Sequence, residues 1–136
     1  MEPASVLTKR PKKFYSPLRY PGGKAILSEF LFEIIDINRI VNCTYVEPFA
    51  GGAGAALTLL LLEKVERIVI NDRDPAIYAF WRSILDETER FIEKINLTNL
   101  CIEEWHNQKS IYVDANSDEF DLGFATFFLN RTNRSG

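Results

Sequence analysis

Apolar residues recur along this chain with two different periods. Ile26, Leu27, Phe30, Leu31, Ile34 and Ile35 fall at helical spacing. A helix over Ala25 to Ile37 is therefore predicted, with one broad apolar face laid on a sheet. Two short apolar runs, Cys43 to Phe49 and Arg67 to Asn71, are bounded by turn residues and read as strands. The apolar core of the second, Arg-Ile-Val-Ile-Asn, predicts burial on both faces. Between the two strands, Gly51 to Gly54 is a turn and Ala55 to Lys64 a helix rich in Ala and Leu. Asp74-Pro75 opens the next helix, with Asp74 as N-cap and Pro75 at the first helical position. Its apolar face is Ile77, Phe80, Trp81, Ile84 and Leu85. Glu87 to Leu97 reads as helix with Phe91, Ile92 and Ile95 inward; residues 99–113 lean towards helix; Asp118 to Asn130 forms a last helix before the polar stretch Arg131 to Gly136. The alternation of strand and helix predicts an α/β fold with a parallel, Rossmann-like sheet and flanking helices. With two clear strands the sheet is incomplete, and an unpaired apolar edge invites association.

Composition narrows the class. A length of 136 residues allows one domain at most, and 46% apolar residues fit a globular chain. The apolar run from Ala55 to Leu62 is too short to span a bilayer, and the polar, basic N-terminus lacks the apolar segment of a signal peptide. Cys43 and Cys101 lack metal-ligand spacing and read as buried free thiols, so a cytoplasmic protein without a metal site is expected. The net charge of -3 hides an asymmetry. Residues 1–24 hold six Lys/Arg against one Glu, and residues 25–136 hold ten against eighteen Asp/Glu. Residues 1–15 read as a flexible basic arm and residues 16–136 as the folded part. Lys9, Arg10, Lys12 and Lys13 are either a solvated tail or a patch that steers nucleic acid.

Three segments carry candidate ligand chemistry. In Thr44-Tyr-Val-Glu-Pro-Phe-Ala-Gly-Gly-Ala-Gly-Ala-Ala56 a strand breaks at a proline and restarts as a helix. Gly51, Gly52 and Gly54 let a ligand approach backbone, and the helix start offers N–H groups. A tight turn with no ligand is the alternative. Asp72 lies 18 residues beyond Gly54, at the end of the second strand. An acidic residue at about this distance accepts hydrogen bonds from ribose hydroxyls in nucleotide-binding α/β folds. Its alternative is a turn-capping role, for which Asp74 is better placed, leaving Asp72 to a ligand. Tyr20-Pro-Gly-Gly-Lys24 offers an aromatic face and a cation, or is only a turn. It is not a phosphate-binding P-loop, because Leu18 and Ala25 stand where Gly and Ser/Thr are needed. The turn at 47–54 also lacks the dinucleotide spacing, and Glu47 would repel a pyrophosphate and favour a cation. S-adenosylmethionine, with a ribose, an adenine and a sulfonium, suits that environment.

The order Leu18-Arg-Tyr-Pro-Gly-Gly-Lys24, Tyr45-Val-Glu-Pro-Phe-Ala-Gly-Gly-Ala-Gly54, Ile70-Asn-Asp-Arg-Asp-Pro75 and Phe128-Leu-Asn-Arg-Thr132 resembles the Dam-like adenine-specific DNA methyltransferases. The resemblance implies an S-adenosylmethionine-dependent methyltransferase fold over residues 16–136. It implies that Tyr20 and Lys24 contact the cofactor; many relatives have Trp at the position of Tyr20. By the same resemblance Glu47, Phe49, Gly51 and Gly54 line the cofactor loop and Asp72 meets the ribose. Asn130 and Arg131 are implied to lie near DNA, the substrate; a helix end with a favourable cation is the alternative.

The family's catalytic Asp-Pro-Pro-Tyr motif, which takes the exocyclic amine of a flipped adenine, is not in the sequence. All six prolines lie at or before Pro75 and no two are adjacent. Lone His106, beside Trp105, reads as a surface residue. No catalytic residue is assigned. The expectation is an N-terminal, cofactor-binding portion that is inactive alone, with the missing C-terminal part as a partner; a non-catalytic cofactor- or DNA-binding module is the alternative.

Overall fold

The computed structural model describes residues 15–20 and 23–133 of the 136. The basic positions Lys9, Arg10, Lys12 and Lys13, and Pro21 and Gly22 of the Tyr20–Lys24 segment, lie outside them. The described residues fall into two compact units, one of residues 15–17 and 23–70, the other of residues 18–20 and 71–133.

The first unit starts with a 3-10 turn, Lys24–Leu27, that runs into α1, Ser28–Ile37. Strand β1, Thr44–Glu47, pairs in parallel with β2, Arg67–Ile70, in the register Thr44 to Arg67 and Glu47 to Ile70. Helix α2, Gly54–Leu61, connects them, as a parallel pair requires. The expected strand–helix–strand unit is present, and the fold is mixed α/β.

Two expectations about burial fail here. Strand β2 alternates between exposed and half-buried and is not covered on both faces. The described residues contain only two strands and α2 to cover it, so Val46 and Val69 keep about half their surface in solvent. The apolar face of α1 is not laid on the sheet either. Ile26, Leu27, Phe30 and Ile34 are exposed, and α1 packs on the 3-10 turn and α2. The core sits instead where Ala53, Ala55, Ala56 and Leu59 are fully buried.

Both helices end in the same way. After α1 the Arg39 and Ile40 amides donate to the Asp36 and Ile35 carbonyls, and after α2 the Glu63 and Lys64 amides donate to those of Leu60 and Leu59. Each closure puts a residue at positive φ, Arg39 at 52° and Glu63 at 56°, where glycine is more usual. Lys64 then reaches back to both carboxylate oxygens of Asp36, at 3.1 and 3.0 Å.

The second unit is helical: α3, Pro75–Asp86; α4, Thr88–Leu97; α5, Ile102–Val113; α6, Glu119–Thr132. Asp74 caps α3 as expected, its Oδ1 accepting from the Ala76 amide at 2.9 Å, with Pro75 in the first turn. Asp118 caps α6 in the same manner, its Oδ2 accepting from the Phe120 amide at 3.0 Å. The core is aromatic. Phe91 meets Phe80, Phe120, Phe124 and Phe127 with ring centroids 5.5–6.0 Å apart, mostly edge to face, the favoured geometry for such pairs. Ile77, Phe80 and Trp81 of α3 are buried as predicted, but Leu85, Ile92 and Ile95 remain largely exposed. Neither cysteine is buried: Cys43 is half-exposed, and Cys101 is exposed with its Sγ accepting from the Glu104 amide at the start of α5. No helix among the described residues is long and apolar enough to cross a membrane.

Helix α6 lies close against α3 at Gly123. A Cβ there would lie 2.4 Å from the Ser83 hydroxyl and 2.5 Å from the Ala79 carbonyl oxygen. The Ser83 hydroxyl itself donates to that carbonyl, so neither neighbour can yield cheaply. Gly123→Ala is expected to destabilise the protein by about 1–3 kcal/mol through overpacking, read from the denaturant midpoint. An unchanged midpoint would show that α6 shifts from α3 without cost.

Candidate functional site

In the first unit the sequence signal condenses around one buried carboxylate. Glu47 ends β1 and is 2% exposed. Its Oε2 accepts from the amide of Ala56, in the first turn of α2, at 3.1 Å. The Lys24 ammonium lies 2.8 Å from Oε1, off the hydrogen-bond direction, so that oxygen is charge-paired without a hydrogen bond. Lys24 also donates to the Phe49 carbonyl. A carboxylate this buried is tolerable only when paired, and its charge also suits the positive end of α2.

The charge expected at this turn is therefore cancelled within the chain. Glu47 does not present an uncompensated negative charge to a ligand; Lys24 of the same chain supplies the cation. One N–H at the start of α2 is likewise already committed to Glu47. The Lys24 and Glu47 side chains together tie the 3-10 turn, the end of β1 and the start of α2 into one loop.

The loop has a special backbone. Gly51 has φ 51°, which glycine adopts without cost. Ala53, fully buried, caps α2 at φ 49° and ψ 32°, the left-handed region that disfavours a Cβ by about 1–2 kcal/mol. The run Gly-Gly-Ala-Gly gives no hint that alanine takes this conformation. Gly54 serves packing: a Cβ there would lie 3.1 Å from the Ala25 Cβ. Phe49 stands out of the loop with 68% of its surface exposed. The structure thus gathers Lys24, Glu47, Phe49, Gly51 and Gly54 within one unit.

The second unit holds the other candidates. Asp72 is half-buried, and its Oδ1 accepts from the Asp74 amide at 3.0 Å. Asp74 caps the helix, as expected, and Asp72 is also engaged in the turn, the role weighed as its alternative. Tyr20 is 45% exposed. Asn130, in the last turn of α6, takes the Arg19 backbone N–H on its Oδ1 and donates from Nδ2 to the Arg19 carbonyl, each at 2.8 Å. The expectation that Asn130 meets DNA draws no support from this pairing, which engages both ends of the amide. Nothing in the sequence signalled it, because the partners are 111 residues apart. Arg131 is exposed and borders an apolar cleft of about 170 Å³ lined also by Ile95, Leu100, Phe124, Phe127 and Phe128. His106 is exposed and edge-on to Trp105. Among the described residues no cluster of three or more His, Cys, Asp or Glu is arranged to hold a metal.

A parallel strand–turn–helix–strand unit with a glycine-rich turn and an acidic residue just past its second strand defines the class among the described residues: a mixed α/β protein. The model of the D12 class N6 adenine-specific DNA methyltransferases matches residues 20–132, and the chain belongs to that family. No curated protein matches the sequence significantly. Members of the family methylate adenine in DNA and generally use S-adenosylmethionine as methyl donor.

Tyr45 reports on the buried charge. Burial first, and the Glu47 carboxylate second, push its phenol above the ordinary 10.0. The folded state therefore favours the neutral phenol. The associated stability is present below about pH 10 and is lost as pH rises through the folded value. In Tyr45→Phe this part of the alkaline loss is expected to disappear, read from denaturant midpoints between about pH 8 and 11. Parallel curves for parent and variant would remove the Tyr45–Glu47 coupling.

Proposed function

We propose that residues 16–136 are part of the cofactor-binding domain of a DNA adenine methyltransferase, with β1, α2 and β2 belonging to a Rossmann-like sheet. Its partners are S-adenosylmethionine, DNA and a C-terminal portion of the same enzyme. The observation that carries this reading is the family match over residues 20–132, which runs through the four motifs almost end to end.

The residues present fit the cofactor. Phe49 offers an exposed ring beside a turn in which Gly51 allows close approach to backbone. Asp72 offers a carboxylate oriented by its own turn, and a carboxylate suits the vicinal hydroxyls of a ribose. Tyr20 offers a second aromatic face. Lys24 and Glu47 keep the loop in shape, and Gly54 lets the 3-10 turn close on α2. Arg131 places a cation for a DNA phosphate, with Asn130 next to it. When bound, S-adenosylmethionine supplies the electrophilic methyl group that the adenine amine accepts. These residues bind and orient; none of them is assigned to the chemical step, because no Asp-Pro-Pro-Tyr sequence occurs among the 136 residues.

Titration calorimetry with S-adenosylmethionine tests the binding half. Asp72→Ala should weaken affinity by about 1.5–3 kcal/mol, the value of a charge-assisted hydrogen bond. Asp72→Asn, which keeps the acceptor for the Asp74 amide, separates the ligand effect from loss of the turn. Equal affinity in all three proteins would remove Asp72 from the ribose.

The 136-residue chain is also expected to transfer no labelled methyl group to duplex DNA. Incorporation into adenine would overturn the division of labour proposed here and locate a catalytic group within these residues.

A further inference from the structure

We propose that Asn130 is a positioning residue for the Tyr20 segment: its amide clamps the backbone of Arg19 and so sets the direction in which the Tyr20 ring is presented. The inference rests on the cofactor reading of Tyr20 given above. It assigns Asn130 a task different from touching DNA.

The geometry is specific. A single side-chain amide meets both polar groups of one residue, Oδ1 taking the Arg19 N–H and Nδ2 giving to the Arg19 carbonyl, at 2.8 Å in each case. This imitates the two-bond exchange between facing residues of an antiparallel ladder, with the amide standing in for a second strand. Residues 15–20 belong to no helix or strand. Leu18, 4% exposed, anchors the segment one residue before the clamp. Tyr20 follows one residue after it and is 45% exposed.

Satisfaction of buried groups does not explain the pairing. Arg19 is exposed, and water would serve its N–H and C=O equally well. What the amide adds is a fixed orientation: its donor and acceptor lie in one plane at a fixed spacing, which Ser, Thr or an ionised Asp does not offer. The last turn of α6 is in turn held by its own packing, since Phe128 and Leu129 beside Asn130 are each 5% exposed. An ordered helix end therefore fixes an otherwise irregular segment at the residue before the candidate aromatic.

The test uses the full 136-residue chain. Amide hydrogen exchange reads the clamp without any ligand, and calorimetry with S-adenosylmethionine reads its consequence. Asn130→Ala is expected to speed exchange of the Arg19 amide about tenfold or more, leave the inner amides of α6 protected, and weaken cofactor affinity about tenfold. Asn130→Asp adds a readout that general destabilisation would not give. Near neutral pH its carboxylate opposes the Arg19 carbonyl and the clamp is lost. Below about pH 4, where an aspartic acid is mostly protonated, the carboxyl regains a donor, and Arg19 exchange relative to the parent at the same pH should recover.

Unchanged Arg19 exchange in Asn130→Ala, or no recovery on acidifying Asn130→Asp, overturns the clamp. Faster Arg19 exchange with parental cofactor affinity overturns the positioning role. A parent chain that binds no S-adenosylmethionine overturns the cofactor reading and the role with it, while exchange at Arg19 still decides whether the clamp exists.

Discussion

The Glu47 carboxylate is the constraint on which the first unit turns. It ends β1, lies almost wholly out of solvent, and meets the Lys24 ammonium at 2.8 Å on one oxygen and the Ala56 amide at 3.1 Å on the other. A charge in that position costs several kcal/mol unless paired, so the strand end, the 3-10 turn and the start of α2 can only assemble together. The consequences run outward from there. The intervening backbone must turn sharply, with Gly51 and even Ala53 at positive φ. A Cβ at Gly54 would crowd Ala25, 3.1 Å from its Cβ, where the 3-10 turn meets α2. Phe49, whose carbonyl takes a hydrogen bond from Lys24, is left with its ring in solvent. The loop is shaped by the protein's own charges before any ligand arrives.

The second unit rests on a different kind of constraint. Its core is a set of phenylalanine rings around Phe91, and the bare backbone of Gly123 lies close against α3. Charged residues frame that core without entering it. Arg90 lies 3.7 Å above the Phe120 ring, and Lys94 sits over Phe124 while pairing with Asp121 at 2.5 Å. Such cation–ring contacts let long basic side chains cover aromatic surface and keep their charge near water. The well-packed end of α6 then carries Asn130 to the Arg19 backbone.

Much of this was legible in the residues. The helix over α3 announced itself by Asp74-Pro75, because capping is a local hydrogen bond between neighbours in sequence. The two strands were visible as short apolar runs, and their parallel pairing followed from the helix between them. The family was visible in the order of four motifs. Burial was less legible. The face of α1 and the strand β2 have core-like sequences, yet Ile26, Phe30 and Val69 are exposed, because burial depends on which surfaces a sheet of two strands leaves to be covered. The partners of Glu47 were not legible either: its charge was plain from the sequence, but the nearby cation that cancels it comes from Lys24, 23 positions earlier.

The sequence by itself determined most of the elements, the Asp74 cap, the glycine-rich turn and the family, since each depends on propensities and contacts within a few residues or on the order of motifs. Tertiary structure alone decided what the candidate residues do to one another. It made Lys24 and Glu47 an internal pair, engaged Asp72 in its own turn, and turned Asn130 onto the Arg19 backbone. Those outcomes depend on directions and distances between segments far apart in the chain. A hydrogen bond or ion pair is sensitive to fractions of an ångström and tens of degrees, which residue order does not encode locally.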